Sequence, residues 1–90
     1  MTPEPYFNCE WIDLAKVKFT PELLQWIPAD VARKYQVIPT IDHGPWGLSV
    51  AIADPSDLDA IDAVYFIIKR EIQLCVADPA QLKEFIQRLY

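Results

Sequence analysis

The spacing of apolar and polar positions along these 90 residues changes several times, and each change marks an element. In "LSVAIA", Leu48, Val50 and Ile52 alternate with Ser49, Ala51 and Ala53. That period of two predicts a strand, whose small-residue face suits close packing against a second layer. "EIQLCVA" repeats the pattern with Ile72, Leu74 and Val76. "QVIPTI" (Gln36 to Ile41) is short and β-branched but contains Pro39, which lacks a ladder donor. It therefore predicts a strand at an edge, or with its proline on an unpaired side.

Helical spacing appears elsewhere. Leu58, Ile61, Val64, Tyr65 and Ile68 form one stripe, and Leu82, Phe85, Ile86 and Leu89 another. "TPELLQWIP" predicts a short helix with Thr20 as N-cap and Pro21 at the first helical position. It stops before Pro28, which restricts Ile27. Pro28 opens a further turn, "PADVARKY", with Val31, Ala32 and Tyr35 on one face. "WIDLAKVKF" alternates in part and is read as lying extended along the core.

These elements predict an α+β fold: a small three-stranded mixed sheet from residues 36–41, 48–53 and 72–77, packed by helices near 57–69 and 79–89. The first two strands form an antiparallel hairpin around "DHGPWG", which collects both glycines about Pro45. The third runs parallel to the second through a right-handed crossover, a β-α-β unit, before the C-terminal helix. Strand order stays open. Residues 1–10 hold two prolines and no periodic pattern and are read as a flexible arm; residues 11–90 form the domain.

"IADPSDLDAID" packs Asp54, Asp57, Asp59 and Asp62 into a short run, a pattern that invites a metal or acid–base reading. The phrase Ala-Asp-Pro-x-x-Leu returns in "VADPAQL", however, and a repeated phrase points to a structural device. A calcium loop starting at Asp54 requires glycine at its sixth position and glutamate at its twelfth. Asp59 and Tyr65 stand there instead. Ser56 or Asp57 is the natural N-cap of one helix and Asp78 of the next, with Pro79 at N1 and Gln81 at N3. Lys69 and Arg70 are read as closing the first of these at its negative pole. The aspartates are assigned to helix starts, and no metal or cofactor is expected.

Composition narrows the function. The formal net charge is −5, and Lys and Arg are scattered, so no basic stripe is available to neutralise nucleic-acid phosphates. No apolar run approaches the ~20 residues needed to span a bilayer. The opening "MTPEPYFNCEW" has neither a basic leader nor an apolar signal core, which argues against secretion. Cys9 and Cys75 lack CxxC spacing and, with one histidine, make no closed zinc site; both are read as reduced thiols. Cys75 is further read as a small packed hydrophobe opposite the inward residues of its strand. No nucleophile or general base accompanies the carboxylates, so no catalytic residues are assigned.

The hairpin loop supplies the candidate contact residues. Trp46 is either a partner-binding anchor or a cover folded back over the sheet. His43 shares the loop and reads first as a solvated turn residue. Trp11 and Trp26 are read as covering the core.

"IPADVARKYQVIPT", "LSVAIADPSDLDAIDAVYFI" and "REIQLCVADPAQLKEFIQRLY", in that order, resemble the N-terminal domain of type II secretion and type IV pilus assembly ATPases, over roughly residues 11–90. The resemblance implies a noncatalytic interaction module that docks a hexameric motor to an inner-membrane platform. Its partners would be the cytoplasmic domain of a platform protein or the motor ATPase itself. It would sit at the cytoplasmic face of a bacterial inner membrane, attached there only through partners. No GxxxxGK[ST] phosphate cradle occurs in the 90 residues, so no ATP hydrolysis is implied for them. Some members of the family bind cyclic di-GMP through an upstream Arg-Leu-Gly motif. Residues 1–10 contain nothing like it, which leaves a cyclic di-GMP sensor as the alternative.

Overall fold

The computed structural model describes residues 10–90, and their strands are β1 (Glu10–Trp11), β2 (Val37–Asp42), β3 (Leu48–Ile52) and β4 (Ile72–Val76). Four helices complete the fold: α1 (Pro21–Leu24), α2 (Ala29–Tyr35), α3 (Leu58–Ile68) and α4 (Pro79–Leu89). The sheet order is β1-β4-β3-β2. β2 and β3 form the expected antiparallel hairpin, and β4 returns parallel to β3 after the α3 crossover. The fold is α+β with a mixed sheet; alternation in the sequence located β3 and β4, and the short β-branched run located β2.

The short β1 is an addition to those three. It pairs parallel with β4, Glu10 opposite Cys75 and Trp11 opposite Val76, and the Ile12 amide extends the ladder to the Val76 carbonyl at 2.9 Å. Glu10 thus belongs to the sheet. The rest of the expected arm, residues 1–9 with Cys9, lies outside the described residues.

β2 occupies the opposite edge, where Pro39 is tolerated because one side of the strand has no ladder partner to satisfy. The register slips between Pro39 and Ile41, a bulge at Thr40. The Thr40 hydroxyl donates to the Ser49 carbonyl at 3.1 Å and lies 3.8 Å from Cys75 Sγ. The buried polar atom at the bulge is therefore satisfied.

Strand register sorts the sheet into two faces. Val37, Pro39, Val50, Ile52, Leu74 and Val76 share one, and Ile38, Ala51 and Cys75 the other. Every β3 side chain is buried, as a central strand covered on both faces requires. Leu14, fully buried, pins the segment after β1. Its amide donates to Gln81 Oε1 at 3.0 Å, and Gln81 Nε2 donates to Asp13 Oδ1 at 2.9 Å. Those contacts tie this segment to the first turn of α4. At the far end of α4, the Tyr90 hydroxyl donates to the Leu24 carbonyl at 3.2 Å.

Local chemistry sets the helix starts. Thr20 Oγ1 accepts from the Leu23 amide, Asp57 from Ala60 and Asp78 from Gln81, each three residues on. The two Ala-Asp-Pro phrases act differently, though. In the second, Asp78 is itself the cap and Pro79 the first helical residue. In the first, Asp54 Oδ1 accepts from the Ser56 amide at 2.9 Å and its hydroxyl at 2.6 Å, a small turn that delays the helix to Leu58. The two equivalent leucines consequently fall at different helical positions. Leu82 is fully buried, whereas Leu58, at the first position of α3, is 56% exposed.

Candidate functional site

The β2–β3 connection combines a bare aromatic with a fixed backbone. Asp42 Oδ1 accepts from the Gly44 amide at 2.8 Å, Gly44–Trp46 makes one 3-10 turn, and the His43 amide donates to the Gly47 carbonyl at 2.8 Å. Gly47 adopts φ 114° and ψ −163°, a conformation essentially limited to glycine. A Cβ there would lie 2.5 Å from the Glu71 carbonyl oxygen, so close approach to the start of β4 also demands it.

Arg70 locks the loop from the neighbouring strand connection. Its terminal nitrogen donates to Asp42 Oδ1 at 2.9 Å, to the Gly44 carbonyl at 2.6 Å and to the Gly47 carbonyl at 3.3 Å. The guanidinium also stacks 4.5 Å from the ring centroid of Trp26, between α1 and α2. Arg70 first, then the Gly44 amide and more weakly the Trp26 indole, hold the Asp42 carboxyl below the usual carboxylate range. The helix-end role expected for Arg70 is corrected: α3 ends at Lys69 in a left-handed conformation, φ 55°, which turns the chain and carries Arg70 to the hairpin.

The candidate residues sit on this frame. Trp46 is 76% exposed at the tip, so it does not fold back over the sheet. Half-buried His43 shares a 2.7 Å hydrogen bond between its Nε2 and Ser49 Oγ. Trp26 does cover the core, but Trp11 departs from that expectation and is 72% exposed on the edge strand. Trp11 lines a groove of 720 Å³ with Val17, Leu23 and Ile41, and this groove reaches the hairpin at Asp42.

Sequence reasoning found the loop and missed the Arg70–Trp26–Asp42 clasp. A cation–aromatic–carboxylate set whose outer members, Trp26 and Arg70, lie 44 positions apart carries no local signature, and only the adjacency of both strand ends assembles it. Cys75 is half-buried, with its thiol 3.4 Å from the Val50 carbonyl. Among the described residues no three His, Cys, Asp or Glu side chains converge on a metal position, and no helix is long and apolar enough to cross a membrane. A rigid loop bearing an exposed indole, beside an apolar groove, is suited to holding another macromolecule.

Residues 7–90 match the MshEN domain, and the chain belongs to that family. Among its relatives is the type IV pilus assembly ATPase PilB of Myxococcus xanthus, 34% identical over 79 residues. That alignment takes in 88% of this chain but only 14% of the relative. The structure of MshE with cdg superposes at a TM-score of 0.83, with 24% identity, over 93% of this chain and 60% of that one. The N-terminal domain of XpsE superposes at 0.76 with 22% identity, over 93% of this chain and 59% of that one. At those identities the two structures establish the fold.

Proposed function

We propose that this domain is a protein-interaction module that docks a type II secretion or type IV pilus ATPase to its inner-membrane platform, at the cytoplasmic face. The observation that carries the reading is the 34% identity with a pilus assembly ATPase along 88% of the chain. The hairpin adds a physical argument. Trp46 stands on a loop already held by Arg70 and by its own turn, so docking onto it orders little that was free. The partner is the cytoplasmic domain of a platform protein or the motor itself.

The alternative, a cyclic di-GMP sensor, is favoured by the relative whose structure was solved with cdg. Such a ligand calls for arginines free to pair with phosphate or stack on guanine. Here Arg33 donates to the Tyr90 carbonyl, Arg70 holds the hairpin, and Arg88 lies beside Glu84 and over the Phe85 ring. Those engagements weigh against the alternative for residues 10–90.

Calorimetry of the 90-residue chain with the platform's cytoplasmic domain, and separately with cyclic di-GMP, decides between them. The docking reading expects saturable binding to the domain and none to the nucleotide at micromolar concentration. Trp46→Ala is expected to weaken docking by about 2 kcal/mol while leaving the melting temperature nearly unchanged. Micromolar cyclic di-GMP binding by this chain would overturn the reading. Unchanged platform affinity in Trp46→Ala would remove the hairpin from it.

A further inference from the structure

The groove between α2 and α3 shares no residue with the hairpin or with the groove beside Trp11. It has a volume of 680 Å³, and its floor is apolar, from Val31, Tyr35, Ala63 and Ile67. Phe66 stands on its wall at 77% exposure. Asp59, Asp62, Ala63 and Phe66 occur at i, i+3, i+4 and i+7 along α3, so carboxylates and aromatic ring share one helical face. Asp30 adds a third carboxylate from α2, against the ammonium of Lys34 in the lining and that of Lys69 beside it. Lys69 lies over the Phe66 ring, its nitrogen 5.8 Å from the centroid.

We propose that this groove docks a basic amphipathic helix from a partner protein, with apolar side chains on its floor and Lys or Arg against Asp30, Asp59 and Asp62. A groove between two helices, with apolar side chains in its lining, accepts a third helix through anchors at i, i+3 or i+4 and i+7. The carboxylate rim sets the sign of the partner. Phe66 already receives a cation on its face from Lys69, a contact that an incoming Lys or Arg can reproduce.

Other occupants meet physical objections. A two-fold copy of this chain would bring a second set of Asp30, Asp59 and Asp62 into the same interface. Anionic lipid would face the same repulsion. The inference concerns this surface alone and stands whether or not the hairpin binds the platform.

The test is an NMR titration of the isotope-labelled 90-residue chain with a designed helical peptide of about four turns, leucine on one face and lysine on the other. A matched peptide with glutamate in place of lysine serves as control. The expected result is saturable shifts at Val31, Tyr35, Ala63, Phe66 and Ile67 with the lysine peptide, and none with the glutamate peptide. Phe66→Ser is expected to weaken the interaction about tenfold or more. The double variant Asp59→Lys with Asp62→Lys should do the same, with the folded spectrum retained in both. Shifts spread equally over Asp54, Asp57 and Asp78 would mean general electrostatics and would overturn the proposal. So would equal binding of the glutamate peptide, unchanged affinity in Phe66→Ser, or concentration-dependent self-association through Phe66.

Discussion

Replacing Gly47 with alanine tests the tightest junction in the fold. The perturbation is one methyl group, yet it meets two separate costs. At φ 114° and ψ −163° an L-residue is strained by about 1–3 kcal/mol. The added Cβ would also lie 2.5 Å from the Glu71 carbonyl oxygen and 2.8 Å from the Glu71 Cβ. That oxygen accepts from the Leu48 amide at 2.9 Å, a bond joining the starts of β3 and β4, so relief of the clash has to move it. Overpacking of this kind costs about 1–3 kcal/mol, and the two contributions together give about 2–6 kcal/mol. Gly44→Ala is the internal control. It has a positive φ of 63°, but nothing lies within 4 Å of the new Cβ, so only the left-handed penalty of about 1–2 kcal/mol applies. Urea unfolding of the two variants beside the wild type, with unchanged m-values, measures the difference. If Gly47→Ala lost no more stability than Gly44→Ala, the close approach to Glu71 would not be a constraint and the reasoning would fail.

Asp78→Ala removes the side-chain acceptor of the Gln81 amide and is expected to cost about 1 kcal/mol in the same unfolding assay, with platform affinity unchanged. Arg70→Lys keeps the charge but loses the planar group that stacks on Trp26 while reaching two carbonyls and a carboxylate; a cost of about 1–2 kcal/mol is expected, with altered tryptophan fluorescence. Burial pushes the Tyr90 phenol up from 10.0 to about 12. The folded state therefore holds this proton more tightly than the unfolded one, so stability is complete below pH 10 and falls as pH rises towards 12, most directly seen as a smaller loss in Tyr90→Phe. For Asp42 the sign reverses: its lowered value adds stability above the ordinary carboxylate range that is lost as acid protonates it, and Asp42→Asn should flatten that acid limb.

The parts of the fold that could be read in sequence are those whose cause acts over a few residues. Alternation in Leu48–Ile52 and Ile72–Val76 fixes which side chains share a face, and a helix between two strands forces the parallel return. Pro39 announced an edge because its missing donor is a property of one residue. β1 was hidden, since two residues are too few for a period to show. The α3 stripe was read too widely. Leu58 and Tyr65 fit the spacing, but the Asp54 turn starts the helix late, and the interior takes Ala60, Ile61, Val64 and Ile68. The loop glycines and Trp46 were visible as a turn. The Arg70 clasp and the α2–α3 groove were not, because each brings together residues from separate elements.

The slip of paired backbone at Glu10–Ile12 has a consequence for how the molecule behaves in a crowd. At the other margin, Pro39 and the Thr40 bulge already make β2 a poor template for a stranger's strand. β4 has no such deterrent in Ile72–Val76, whose apolar alternation favours extension by one more strand. What occupies the Cys75–Val76 end of that margin is β1, whose neighbour in the ladder is 65 positions away in sequence, Glu10 against Cys75. A partner so distant in sequence is expected to join late in folding, after the hairpin and crossover have formed. During that interval this end of the margin is open, and a chain trimmed through Ile12 would keep it so. The few residues of β1 act as a selvedge, and their loss should appear as aggregation at concentrations where the intact domain stays dispersed.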